Sequence, residues 1–353
     1  VTDSERIAAW RLASQLLEPR APREPAAVVA HLCGVQAQDP RKAPWAVGVR
    51  APGVTLERVD EALRDGRVVR TWMFRGTLHY VAAEDLAWLR ELLAPGVVAR
   101  AVRRYRELEL DEATFDRSRE VLQTALEGKG TVRRAELARR LEDHGIDTAG
   151  QRLPHLLQRA ALDGVLVCGS SRAPGADYTA APAAPTGLVR GSEALARLAR
   201  RYLEGHAPTT VHDFAWWSGL SVRDARRALQ GSGGEELHLG PRALWTIGTA
   251  PEPPSRGAVR LLPPFDEYLV GYKDRTAAVA PELAGSVNAG GGMLAPTVIV
   301  GGVVVATWRY DATAGVATVD PFRALSDDER DRIDVAAAEV AAFHRTVPGA
   351  RPA

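Results

Sequence analysis

Thr210-Val211-His212-Asp213-Phe214-Ala215-Trp216-Trp217-Ser218-Gly219-Leu220-Ser221-Val222-Arg223-Asp224 reads as two helix openings divided by a stop. Thr210 and Ser221 each stand three residues ahead of an aspartate, so each hydroxyl can accept an orphan amide from the first turn that follows it. Gly219 supplies the backbone freedom that ends a helix. The second helix carries Arg223, Arg226 and Arg227 at the position of a recognition helix, where they are available for phosphates. A helix from Ser192 to about Leu203 before it, and strands around Leu237 and Trp245 joined through Gly240-Pro241, complete a winged-helix unit.

The same order recurs twice upstream. In the first copy Ser4 is expected to cap a helix with Ala9, Leu12, Ala13 and Leu16 on one side, and Pro25 to open a second with Val28, Val29, Leu32 and Cys33. Thr55 caps a third, and Val68-Val69-Arg70-Thr71 with Thr77-Leu78-His79-Tyr80-Val81 supplies the wing. A helical connector runs from about Ala83 to Arg106. In the second copy Thr131 is expected to cap a helix ended by Gly145, a helix with Leu156, Leu157 and Ala160 follows, and Val165-Leu166-Val167-Cys168 pairs with Asp177-Tyr178-Thr179. Residues 173–187, rich in Ala and Pro, read as a linker.

Beyond Pro254 the texture turns alternating, with strands expected at 259–262, 268–270, 297–300, 303–308 and 317–319 and a glycine-pair hairpin at Gly301-Gly302. A small sheet or barrel follows, then a helix opened by the capping box Ser326-Asp327-Asp328-Glu329 and running through Phe343. The fold class is α+β. The expected divisions are 1–110 (first unit and connector), 111–187 (second unit), 188–254 (third unit) and 255–353 (β-rich part and last helix).

Composition bounds what such a chain can do. With 353 residues, 46% apolar and 25% charged, it is globular and too long for one small core. A net charge of +1 means that any nucleic-acid surface must come from clustered Lys and Arg. Clusters stand at 100–106, 133–140, 197–201 and 223–227, with the acidic run Glu107-Leu108-Glu109-Leu110-Asp111-Glu112 as a counterweight; many of these are expected to be solvated helix faces. Cys33 and Cys168 stand far apart in apolar settings, so neither a disulfide nor a zinc site is suggested, and a cytoplasmic protein without metal or cofactor is expected. The longest apolar stretch, 298–306, is too short to span a bilayer. Paired carboxylates or a serine triad find no supporting constellation.

Gln36-Ala37-Gln38-Asp39-Pro40 is the one segment suited to chemistry. Pro40 steers the residues before it into extended backbone, where a period of two puts both amides on one face. Two facing carboxamides can bind and orient a water without carrying charge. A polar loop that merely satisfies backbone groups is the plainer reading.

Further motifs point the same way: Trp45-Ala46-Val47-Gly48-Val49-Arg50, Arg70-Thr71-Trp72-Met73-Phe74-Arg75-Gly76-Thr77-Leu78-His79, Leu262-Pro263-Pro264-Phe265-Asp266-Glu267-Tyr268-Leu269, and Pro296-Thr297-Val298 with Thr307-Trp308-Arg309. In this order, over nearly the whole chain, they resemble the winged-helix bacterial DNA glycosylases of the AlkZ and YcaQ type. The resemblance implies three tandem winged-helix motifs around a small β-barrel, in a C-shaped body that embraces double-stranded DNA. It also implies a catalytic pair of Gln, one residue, then Gln or Asp, matched here by Gln36 and Gln38. Gln rather than Asp at position 38 tilts the reading toward a resistance enzyme for bulky adducts of a genotoxic natural product.

That identification implies a monofunctional DNA glycosylase acting on N7-alkylguanine in duplex DNA, as a monomer, and unhooking interstrand crosslinks. Alkylation at N7 makes the base a cationic leaving group, so what remains is to stabilise an electron-poor sugar and deliver water. Asp39 is expected to point away. A lyase step would need an amine nucleophile near the sugar, and no lysine stands by the glutamines except Lys42, so a monofunctional enzyme is expected. Candidate DNA contacts are Arg41, Lys42, Arg75, His79, Arg223, Arg226, Arg227, Lys273 and Arg275. His79 has a packed structural role as its plainer alternative. Asp266 and Glu267, as strand neighbours, are expected to face opposite ways and to serve as structural groups or partners of Lys273 and Arg275. Trp216 and Trp217 are expected in the core, with at most one left to meet DNA. A crosslinked base cannot enter a snug pocket, so an open cleft without full flipping is expected, with Gly290-Gly291-Gly292 or Tyr272-Lys273-Asp274-Arg275 as an inserted element. The competing readings are a non-enzymatic winged-helix regulator or adduct-sequestering protein, and an interaction scaffold without nucleic acid.

Overall fold

The computed structural model describes residues 2–170, 177–249, 257–288, 290 and 292–345. The stop between the two helices takes the form the sequence implies. Thr210 closes a capping box with Asp213 at the head of Val211–Ser218, Gly219 takes φ 76° at its end, and Ser221 accepts the Asp224 amide at the head of Val222–Gly231. On Val222–Gly231 the residues Ala225, Ala228 and Leu229 are buried, leaving Arg223, Arg226 and Arg227 exposed on the outer face. The helix Gly191–His206 precedes this pair and the hairpin Glu235–Leu239 with Arg242–Thr246 follows it.

Upstream, helices Asp3–Ser14, Pro25–His31, Pro44–Gly48 and Leu56–Arg64 lead to strands Val68–Trp72 and Leu78–Ala82, and the 25-residue connector is Ala83–Glu107. Helices Glu112–Leu126, Arg134–Asp143 and Arg152–Leu162 then lead to strands Leu166–Cys168 and Asp177–Ala180. Strands from both stretches join one antiparallel sheet of six, in the order Val35–Gln36, Leu78–Ala82, Val68–Trp72, Leu166–Cys168, Asp177–Ala180, Val132–Arg133. The join between the halves is the pair Arg70 opposite Cys168.

Several local expectations are corrected. Thr2, not Ser4, caps the first helix, because Thr2 and Glu5 can exchange two hydrogen bonds in a capping box. Thr131 caps nothing: Val132 and Arg133 are drawn into the sheet opposite Tyr178 and Asp177, so the helix starts at Arg134. The acidic run at 107–112, read from the sequence only as a charge counterweight, stands at a helix junction, where Asp111 accepts the Thr114 amide and opens Glu112–Leu126. Residues 268–270 are not a strand, since the Asp266 carboxylate accepts the Tyr268 amide at 2.9 Å and turns the chain into the short helix Glu267–Val270.

The C-terminal strands Val259–Leu262, Thr297–Val300, Val303–Asp311 and Val316–Pro321 form an antiparallel sheet of four. Its order is 259–262, 297–300, 303–311, 316–321, with no pairing between the outer two, so among the described residues it is an open sheet and not the expected barrel. Alternating apolar residues specify which face is buried but not whether the edges close. The helix Asp327–His344 covers this sheet, and the Phe343 ring lies so close to Gly48 that a Cβ there would come within 2.6 Å of it.

Burial ties distant segments together. One core joins Val28, Leu32, Val47 and Ala51 to Leu262, Val298, Ile299 and Val340; a second joins Phe74 and Leu89 to Tyr202, Phe214, Trp217 and Leu229. The Gln36–Gln38 segment therefore sits where the first, third and C-terminal parts of the chain converge. Among the described residues no helix is long and apolar enough to cross a membrane.

Candidate active site at the Gln-Ala-Gln segment

Gln36 ends the two-residue strand Val35–Gln36 and stands opposite His79 in register. The Ala37 amide still bonds the Leu78 carbonyl at 2.7 Å, so the backbone stays extended up to Gln38 before Pro40 turns it. The two amides meet different surroundings: Gln36 is 7% exposed and Gln38 is open to solvent. Both rest on the same neighbouring segment, since Arg75 Nη2 donates to Gln36 Oε1 at 3.3 Å and the Leu78 amide donates to Gln38 Oε1 at 3.2 Å. A carboxamide oxygen has two lone pairs, so each retains an acceptor site.

Gln36 is closed into a ring of hydrogen bonds. Its backbone N–H donates to Glu267 Oε1 at 2.9 Å, and Trp217 Nε1 donates to Glu267 Oε2 at 3.0 Å. The Trp217 carbonyl accepts from Arg75 Nη1, and Arg75 Nη2 returns to the Gln36 side chain. Arg75 reaches both partners from a left-handed backbone, φ 55°, an uncommon conformation for a residue with a Cβ and one concentrated at functional sites. Glu267 and Trp217 are wholly buried, while Arg75 is half-buried.

The electrostatics follow from that burial. Loss of solvent pushes the Glu267 pKa up, but His206, His79 and the Gln36 amide more than offset it and hold the carboxyl below its usual range. His206 Nε2 lies 3.5 Å from Glu267 Oε2, its ring stacked on Tyr202 at 4.6 Å. Burial pushes His79 down to about 4, with Arg75 adding to the effect. Neutral His79 donates Nδ1–H to the Thr77 carbonyl at 3.0 Å and meets Phe74 edge to face at 5.0 Å.

The acidic pair divides as expected, though from the head of a helix and not from a strand. While Glu267 holds Gln36, Asp266 forms a wholly buried ion pair with Arg50 at 2.7 Å. All five Arg50 N–H groups have acceptors: Nη1 and Nη2 reach Asp266, Nη1 the Ala46 carbonyl, Nη2 Gln15 Oε1, and Nε the Gln15 carbonyl. Neither carboxylate pairs with Lys273 or Arg275. Sequence reading placed Glu267 in a motif but missed its part at Gln36, 231 positions away; Trp217 was missed in the same way. The available signal for Glu267 is its place in the motif at 262–269.

The cationic candidates fall into separate places. Arg41 and Lys42 are exposed on the turn after Gln38, where Asp39 Oδ1 accepts the Arg41 amide at 3.0 Å and so points into its own turn. Lys273 is exposed, whereas Arg275 is tied to the Leu269 carbonyl at 2.7 Å and to Asn288 Oδ1 at 3.0 Å. His79 is corrected: at 1% exposure its ring is not presented to a phosphate, and it supports the ring of bonds around Gln36. Gln36, Arg75, Trp216, Arg275 and Met293 border one concavity of about 310 Å³. Gly290 and Gly292 also border it, while Gly291 lies outside the described residues. Among the described residues no group of three His, Cys, Asp or Glu is placed to hold a metal ion.

Comparison with known proteins gives the arrangement a context. A family model described as DNA glycosylase AlkZ-like matches residues 29–343. The chain is 29% identical, over an alignment of 372 positions, to the interstrand DNA cross-link repair glycosylase of Streptomyces sahachiroi, covering 96% of this chain and 94% of that protein. The solved structure of the Streptomyces sahachiroi DNA glycosylase AlkZ matches with a TM-score of 0.80 at 28% identity, over 96% of each chain. The mixed helix and sheet fold is thus shared over almost the full length.

Proposed function

The chain belongs to the AlkZ-like DNA glycosylase family, and from that premise we propose that it is a monofunctional enzyme hydrolysing the N-glycosidic bond of N7-alkylguanine in double-stranded DNA. The observation that carries this reading is the ring through Gln36, Glu267, Trp217 and Arg75, which holds an amide with a free acceptor site at the edge of an open concavity. Such fixed dipoles are spared reorganisation when charge develops on the sugar.

In the proposed reaction the C1′–N9 bond breaks with its electron pair passing to the cationic base, which leaves neutral. A water oriented by the Gln36 and Gln38 oxygens bonds to C1′; one of its protons stays on the new hydroxyl and the other is lost late, to bulk solvent. An amide is a poor base, which suits a leaving group needing little help. Neither glutamine supplies an amine nucleophile, so no covalent enzyme–DNA intermediate is expected.

The segments 1–110, 111–187 and 188–254 act as three winged-helix motifs and, with 255–353, make a C-shaped DNA-binding body; the boundary at 254 lies outside the described residues. Arg41, Lys42, Arg75, Arg223, Arg226, Arg227, Lys273 and Arg275 meet the DNA backbone. The protein works as a monomer in the cytoplasm, in keeping with two buried, unpaired thiols. It unhooks interstrand crosslinks of a genotoxic natural product, as the name of its Streptomyces relative suggests, through an open cleft without full base flipping.

The test is to incubate the protein with a duplex bearing one N7-methylguanine and with a duplex crosslinked between two N7 positions. Free base and an alkali-labile strand, together with unhooked single strands and no borohydride-trapped adduct, are expected. Tight binding of both duplexes with no base released would instead mark a regulator or sequestering protein.

A further inference from the structure

We infer that the indole of Trp216 is a stacking platform for a flat aromatic ring system presented by the damaged DNA, either the alkylated base or an aromatic arm of its adduct. This rests on the glycosylase reading above. Trp216 and Trp217 are neighbours on the helix Val211–Ser218 with opposite fates: Trp217 is wholly buried against Glu267, while Trp216 is 44% exposed. An indole left this far in water beside a reaction centre is informative, because Trp carries the largest apolar surface of any side chain.

Its position is tied to Gln36. Arg75 Nη1 donates to the carbonyls of both Trp216, at 3.4 Å, and Trp217, while Nη2 of the same guanidinium reaches Gln36 Oε1. The Arg75 guanidinium carbon lies 5.8 Å from the Trp216 ring centroid, so one side chain sets both the indole and the amide. The same concavity of about 310 Å³ is also lined by Met293, 51% exposed, whose soft thioether adapts to flat partners. Stacking on an indole tolerates any aromatic outline, which suits adducts of varied shape. A ring resting on Trp216 is thereby brought beside Gln36.

The test measures affinity on uncleavable, 2′-fluoro-substituted duplexes carrying N7-methylguanine, N7-benzylguanine or no lesion, with base release read separately on cleavable ones. Trp216→Leu keeps apolar bulk without a π-face, and Trp216→Phe keeps a smaller one. Trp216→Leu is expected to weaken lesion binding by about tenfold and to leave undamaged duplex unchanged, with Trp216→Phe close to wild type. Loss with both lesions identifies the base as the occupant and, with it, a base drawn out of the duplex stack in place of the unflipped cleft proposed above; loss with N7-benzylguanine alone identifies the adduct arm. A Trp216→Leu protein that binds both lesions like wild type overturns the platform. Should Trp216→Leu fail to fold, lesion-dependent fluorescence quenching present in wild type and absent in Trp216→Phe supports it, and identical quenching in the two overturns it. Trp216-dependent lesion binding without any base release would leave the platform standing and remove the glycosylase reading.

Discussion

Glu267 Oε1 accepts the backbone N–H of Gln36 at 2.9 Å from a position 231 residues further along the chain. The other oxygen of the same carboxylate accepts Trp217 Nε1 at 3.0 Å, so both of its bonds require an acceptor. Glu267→Gln would turn an amide NH2 toward one of these donors. We expect it to lower stability by about 1–3 kcal/mol and the single-turnover rate by about ten- to a hundredfold, with duplex affinity unchanged. Unfolding in urea and a single-turnover assay check this; an unaltered rate would remove the positioning role.

Protonation of the same cluster sets an acid limit. Folded His79 titrates near 4 against an ordinary 6.5, so between those values the unfolded chain binds a proton that the folded one does not. Stability therefore falls as pH drops through 6.5, by on the order of 3 kcal/mol once pH 4 is reached. Glu267, with its depressed pKa, contributes stability that is lost at the acid end of the same range. Urea unfolding at pH 7, 6 and 5 should show the decline, and His79→Gln should flatten it.

Arg50 and Asp266 make the strongest structural demand. Removing the guanidinium leaves a carboxylate with no exposure and no counter-ion. Arg50→Met should cost about 3–5 kcal/mol and cause loss of activity through unfolding, measurable as a large fall in Tm. A small change in Tm would remove the structural role assigned to the pair.

The three arginines on the outer face of Val222–Gly231 should act on DNA as point charges. Each of Arg223→Gln, Arg226→Gln and Arg227→Gln should weaken binding to damaged and undamaged duplexes alike, and should reduce the dependence of log K on log salt by about one. Unchanged salt slopes would place the DNA on another face.

Much of this architecture was legible because its signals are local. Thr210, Gly219 and Ser221 decide helix ends within three or four residues of themselves, and the extended backbone at Gln36 and Gln38 was legible because Pro40 constrains the residues before it. What was not legible depends on distance or on competition. Alternation at 268–270 suggests a strand, but the Asp266 cap wins. Thr131 is a good cap residue, but its neighbours Val132 and Arg133 find strand partners at 177 and 178. Periodicity cannot say that the C-terminal sheet stays open, nor that Glu267 meets Gln36, because nothing near either residue records the other.

We propose that the amide pair performs the chemistry while the ring behind it holds Gln36 in place. The most direct measurement is single-turnover release of base from a duplex with one N7-methylguanine by the wild type, Gln36→Ala, Gln38→Ala and Asp39→Asn, with duplex affinity measured alongside. Both alanine variants are expected to lose about a hundredfold or more in rate while still binding DNA, and Asp39→Asn is expected to stay near wild type. Full activity in Gln36→Ala and Gln38→Ala, or its loss in Asp39→Asn with Gln38→Ala unaffected, would contradict it.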